Sequence, residues 1–322
     1  MSAPSAPATP PVAAGVAPSI PRPSRVLRVA LLVNLAAQVG IVLTGGLVRL
    51  TGSGLGCPTW PQCVPGSYTP VVEQPQGIHK DIEFGNRMLT FVVGVAAIAA
   101  FVLVWRFVRR SGAPRRLVAL AAAPLLGVVA QAVLGGITVL TDLSPATVAA
   151  HFLVSMVLVA ASTVLYLAVA VPTPAAPVRR EIVRLGWGVA ALAAVVLVLG
   201  TVVTGSGPHS GDAEKPARFG FDPATVSWLH ADAVWLFVGL VVALVVALRM
   251  SSAPIAGRRA VALLVVTLLQ GAVGYVQYAT DLPIALVAAH MLGASVLVVA
   301  VTAVVVALTG TPAARALAPP RS

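Results

Sequence analysis

Long apolar runs follow one another along the chain, separated by polar segments. They fall at roughly 27–48, 84–105, 117–140, 147–171, 187–205, 226–248, 260–279 and 286–309. Each is close to the ~20 apolar residues needed to cross the hydrocarbon core of a bilayer. Lipid satisfies no exposed backbone group, so a run of this length is predicted to be a helix. The expected fold is therefore an all-α integral membrane protein with eight transmembrane helices.

A second pattern lies on top of the first. The tract from Gln131 to His151 reads QAVLGGITVLTDLSPATVAAH, and the tract from Gln270 to His290 reads QGAVGYVQYATDLPIALVAAH. Both carry a glycine (Gly135, Gly274), the triplet Thr-Asp-Leu and the ending Val-Ala-Ala-His. TGSG also recurs, at 51–54 and at 204–207. The chain reads as an internal duplication, with spans one to four and five to eight forming two pseudo-symmetric four-helix bundles. An even number of spans per half makes the repeats parallel. The halves are expected at 27–171 and 187–309, joined by a cytoplasmic linker over 172–186. Residues 1–26, rich in Pro, Ala and Ser, are expected to form a disordered cytoplasmic tail, and 310–322 a short cytoplasmic tail. The first run is too long for the core of a cleavable signal.

Composition agrees: 58% of residues are hydrophobic and 10% charged, against about a quarter charged in soluble domains. The formal charge of +11 is spread over short loops rather than gathered on one face, which argues against a nucleic-acid partner. Arginines cluster before span one, after spans two, four and six, and in the C-terminal tail. That asymmetry predicts both termini inside and the long loops 49–83 and 206–225 outside, in a multi-pass plasma-membrane protein surrounded by lipid.

His151 and His290 lie about four residues, or ~6 Å, inside their helices from the outer end. His230 enters at similar depth in span six. An ionisable residue inside a membrane marks a functional site, and facing histidines in a helical bundle suit axial ligation of a haem iron. Span two corresponds to span six in the duplication, and Asn86 in the first half is set against His230. Glu83 stands one turn before Asn86, where the second half has Ser227. One half thus keeps a histidine pair, and the other has a histidine, a carboxylate and an amide. The pair suits electron transfer or structure, and the other half suits a reactive site. With His151 and Asn86, Arg49 and Arg87 are candidates for binding the substrate of the reactive site; both lie at the outer interface, where either can pair with a haem propionate or extend toward the headgroups. Cys57 and Cys63 share an outer loop, where a disulfide is the expected state. His79 stands two turns before Asn86 and is a candidate substitute ligand. His209 lies in the second long loop.

The segments GLGCPTWPQC (54–63), IEFGNR (82–87) and GTVVTGSGPHSGD (200–212), together with the paired VAAH helices, resemble the haem A synthase family. The resemblance covers nearly all of 27–309. It implies oxidation of the C8 methyl of haem O to the formyl of haem A, with water as the oxygen source, for cytochrome oxidase. It implies a haem b between His230 and His290, a substrate site with His151 and a catalytic Glu83, and a disulfide in the outer loop. Many members have histidine where this chain has Asn86. Haem O synthase, a protohaem farnesyltransferase, is the natural donor of haem O, and the electron acceptor is open, a quinone being one choice. Two rivals are a b-type cytochrome exchanging electrons with quinone and a haem transporter or chaperone. The first needs two complete histidine pairs, and the second has no need of Glu83.

Overall fold

A computed structural model describes residues 22–212 and 214–311; most of the two predicted tails lies outside these residues. Eight helices follow in order: α1 (Arg25–Leu50), α2 (His79–Ser111), α3 (Arg116–Leu140), α4 (Pro145–Ala170), α5 (Arg180–Ser206), α6 (Pro223–Arg249), α7 (Pro254–Ala279) and α8 (Ile284–Thr309). All eight are long and apolar enough to cross a membrane. The protein is an all-helical membrane protein, and no strand is present among the described residues.

Local chemistry sets the helix ends. Ser24 accepts from the Leu27 N–H and Asp222 from the Thr225 N–H, satisfying donors that a helix start leaves free. Proline opens α4, α6 and α7, where its missing N–H costs nothing. Gly112 stops α2 at φ 68°, a left-handed cap that glycine adopts without strain.

Three helices outrun their apolar windows, α7 by starting at Pro254 rather than near 260. α2 has 33 residues, or about 50 Å, and takes in His79 at its outer end. α5 starts at Arg180, inside the segment expected to be linker, so the connection shortens to 171–179. Hydropathy sees only the lipid-facing part of a helix, whereas charged residues at both interfaces continue the same hydrogen-bonded spiral. In the linker the last breaker is Pro177. The second TGSG also differs from its copy: Thr204, Gly205 and Ser206 form the last turn of α5, whereas 51–54 lie beyond α1.

Each half closes on itself. α1 packs on α2, α2 on α3, α3 on α4, and α4 returns to α1; α5 to α8 repeat that order of neighbours. The halves meet where α8 packs on α1 and α4, and where α4 packs on α5. One apolar cluster, including Leu31, Val104, Leu117 and Leu165, fills the first bundle near its Arg-rich end. Another, including Phe237, Val241, Leu244 and Leu263, fills the second. Both bundles are therefore packed shut at that end, which leaves room for ligand-sized space at the other.

The opposite end is tied by loops. The repeated Thr-Asp-Leu triplets are turns with two consecutive left-handed residues, Asp142 and Leu143 (φ 49° and 56°) and Asp281 and Leu282 (φ 59° and 58°). The buried Leu143 sits against Gly54 and Gly211, and a Cβ on Gly54 would come within 2.7 Å of its Cδ1. The Gly54 N–H donates to the Gly211 carbonyl at 2.9 Å, and Ser53 bridges to Asp212. One strand of contacts thus joins a loop of each half.

Candidate functional site

Each helical hairpin carries one polar side chain laid against a glycine of its partner helix. A Cβ on Gly135 (α3) would stand 3.3 Å from Cε1 of His151 (α4). The same holds for Gly200 (α5) and His230 (α6) at 3.3 Å, and for Gly274 (α7) and His290 (α8) at 3.2 Å. In the first hairpin the pair is Gly45 (α1) and Asn86 (α2), with Nδ2 3.8 Å from the built Cβ. The missing Cβ lets a planar side chain lie close to the neighbouring backbone. Asn86 therefore occupies the fourth place in a series whose other three members are imidazoles.

The Nδ1 atoms of His151, His230 and His290 are buried without a hydrogen-bond partner, as is Oδ1 of Asn86. The His230 ring leans toward the Val196 carbonyl and the His290 ring toward that of Gln270, neither reaching hydrogen-bonding geometry. Gln270 Nε2 donates to the His290 carbonyl at 2.7 Å, and Gln131 Nε2 to the His151 carbonyl at 3.0 Å. These repeated glutamines hold the histidine-bearing helices from behind.

His230 and His290 line one cavity in the second half. Its walls are mainly apolar, among them Val234, Phe237, Leu297 and, from α4, Val148 and Phe152. Among the described residues no group of three or more His, Cys, Asp or Glu could hold a bare metal ion. Two imidazoles do suit an iron whose other ligands belong to a macrocycle, and an apolar cavity suits the macrocycle. The residues present therefore fit a haem.

In the first half, Glu83 is 6% exposed and fully engaged. Its Oε2 accepts from the Cys57 N–H at 2.6 Å, and its Oε1 from Arg87 Nη2 at 2.6 Å and Nε at 3.1 Å. Arg87 also donates to the Cys57, Thr59 and Gln62 carbonyls. Cys57 and Cys63 form a disulfide. Arg87 thus threads the disulfide loop onto α2, and the loop reaches across to α3, where the Trp60 ring lies against Gly136. His79 begins α2, with Nδ1 2.8 Å from the buried Ser53 Oγ, which holds it two turns outward of Asn86. His209 donates from Nε2 to the Leu282 carbonyl at 3.0 Å and so fastens the second long loop to the α7–α8 turn.

Arg49 lies elsewhere than Arg87. It lines the cavity of His230 and His290 and donates to the Thr204 carbonyl on α5 at 3.2 Å. Gly200, Trp60 and Val148 lay inside the segments 200–212, 54–63 and VAAH without being singled out as positioning residues, and Gly45 and Phe152 carried no sequence signal. Asn34 and Gln38, both buried in α1, were equally silent. Asn34 donates to Ser162 of α4 at 3.3 Å.

The sequence profile of the COX15-CtaA family, described as cytochrome oxidase assembly protein, matches residues 28–302. A protein of Lysinibacillus sphaericus named heme A synthase is 36% identical over 131 residues, 39% of this chain and 40% of its own length. A protein of Chloroflexus aurantiacus named protoheme IX farnesyltransferase is 30% identical over 218 residues, 63% of this chain and 35% of its own length. The chain thus spans 40% or less of these two relatives. A heme A synthase of Sinorhizobium fredii is 26% identical over 327 aligned residues, 84% of this chain and 87% of that one. With a match over most of its length, the chain belongs to the COX15-CtaA family of cytochrome oxidase assembly proteins.

Proposed function

We propose that this protein is a haem A synthase, which converts the C8 methyl group of haem O to the formyl group of haem A. Going from methyl to formyl takes an oxygen atom from water and releases electrons and protons, so the reaction needs an electron acceptor, a quinone being one choice. The observation that carries this reading is the inequality of two matched sites. The second half has two imidazoles, His230 and His290, each backed by a glycine. The first has His151 and Asn86 so backed, with the carboxylate of Glu83 one turn away.

Haem b, when bound, would supply redox chemistry to the second half; His230 and His290 would hold its iron, and the apolar walls would keep water away. In the first half, His151 holds haem O, Asn86 faces it, and Glu83 moves protons beside the methyl group while Arg87 fixes its orientation. The disulfide loop, with Trp60 against α3, covers this site. A b-type cytochrome would have no use for a matched second site with half its imidazoles replaced.

The Arg-rich loops support a reading with both termini in the cytoplasm and the haem sites in the outer half of a plasma membrane. Haem O synthase is the proposed donor: a relative named protoheme IX farnesyltransferase contains a region similar to this chain and extends well beyond it.

The test is conversion in a host that makes haem O but no haem A. Haem A should appear with the wild-type chain. His230→Ala and His290→Ala should each abolish a low-spin haem b spectrum, which His151→Ala retains while losing haem A. Haem O left unconverted by a well-expressed wild-type chain would overturn the reading.

A further inference from the structure

Arg49 is a buried cation for which the described residues provide no anion. It is 9% exposed, at the last turn of α1. Its Nη2 donates to a neutral carbonyl, that of Thr204, and its Nε has no partner. The ion pairs among the described residues are Arg87–Glu83 and Arg179–Glu181, and neither involves Arg49. An uncompensated buried charge costs several kcal/mol. A guanidinium is rarely neutralised by proton loss. Whatever completes this site has to bring negative charge with it.

Position narrows what that is. Arg49 lines the same cavity as His230 and His290. The carbonyl it holds, Thr204, lies one helical turn, about 6 Å, beyond Gly200, which backs the His230 ring. The cation therefore stands on the loop side of the paired imidazoles, one turn from their level. A protohaem carries both carboxylates on one edge of the macrocycle. A protohaem held by His230 and His290 with that edge toward the loops would present a propionate to Arg49.

We propose that Arg49 binds a propionate of the haem held by His230 and His290, so that the first half of the duplication supplies the carboxylate anchor for the haem of the second. This rests on reading that cavity as a haem site. Arg49 is then a binding residue of the second-half site, not of the substrate site. The free Nε and the Nη groups offer the fork that pairs with a carboxylate through two hydrogen bonds.

The test uses the full-length protein in detergent, reconstituted with protohaem or with its dimethyl ester, whose propionates are uncharged. Arg49→Gln should keep the low-spin bis-histidine spectrum, lose protohaem to an excess of apomyoglobin at least tenfold faster, and show a lower midpoint potential, because the removed cation favours the ferrous state. Arg49→Lys should fall between the two. Wild type should lose the dimethyl ester as fast as Arg49→Gln loses protohaem, and the ester should be indifferent to the substitution. A protohaem loss rate and potential unchanged in Arg49→Gln would overturn the proposal while leaving the haem site intact. Arg49→Gln acting equally on protohaem and its ester would assign the cation to a lipid phosphate or another anion, and would overturn it too. A low-spin haem retained in His230→Ala would instead overturn the reading of the cavity on which the proposal stands.

Discussion

Asn86 shows how much one side chain decides. Its carboxamide lies against Gly45 as the three imidazoles lie against their glycines, and Gly45 leaves space for a ring. A carboxamide is a poor iron ligand, so a haem bound by His151 keeps one axial position open. Asn86→His should close it: a second low-spin haem per chain is expected, and carbon monoxide binding to the first-half haem should be lost. An unchanged spectrum would show that Asn86 does not face the iron. Glu83 carries two roles that its substitution must separate. Glu83→Gln keeps an acceptor for the Cys57 N–H but removes the charge that Arg87 meets. A loss of about 1–3 kcal/mol in loop stability is expected, as for hydrogen bonds to charged groups. If Glu83 handles protons, haem b should stay while haem A falls to little or none and haem O accumulates. Arg87→Lys keeps a cation beside Glu83 but not the fork that binds the loop carbonyls. An equal loss of haem A in Arg87→Lys and Glu83→Gln would assign the effect to the loop instead.

At the scale of the helix, the recurring device is a pair in which one partner gives up a Cβ. At Gly274 an added methyl would sit 3.2 Å from the His290 ring, a contact relieved by a shift of a few tenths of an ångström, whereas a branched side chain would take the ring's place. Gly274→Ala should lower haem b content modestly and Gly274→Val should abolish it. Gly239→Ala, which meets nothing within 4 Å, should leave it unchanged, as the haem-to-protein ratio of the purified chains will show. Gly274 and Gly135 were legible in the sequence because they belong to tracts duplicated at constant spacing. Gly45 and Gly200 were not, since the visible marker on their helices, TGSG, falls outside α1 but within the last turn of α5. Hydropathy found all eight helices yet misjudged the ends of α2, α5 and α7, where arginines and acids continue the helix past the lipid. Periodicity put Arg49 at the outer end of α1 but held no information on which bundle its side chain enters. That depends on α5 packing beside α4, a contact between halves.

Taken whole, the molecule is two bundles packed shut with aliphatic side chains at one end and open to ligands at the other, held together by α4 and α8 and by a stitch of backbone between residues 53–54 and 211–212. The two sites share more than a lineage. α4 presents His151 toward α3, and the next residue, Phe152, lines the cavity of His230 and His290 together with Val148 and Ala149. A single helix, some 10–12 Å across with its side chains, is all that lies between one site and the other. It is a party wall. Neither room can be refurnished on that side without the neighbour hearing it, so the two copies, however far their chemistry has diverged, remain bound to change α4 together.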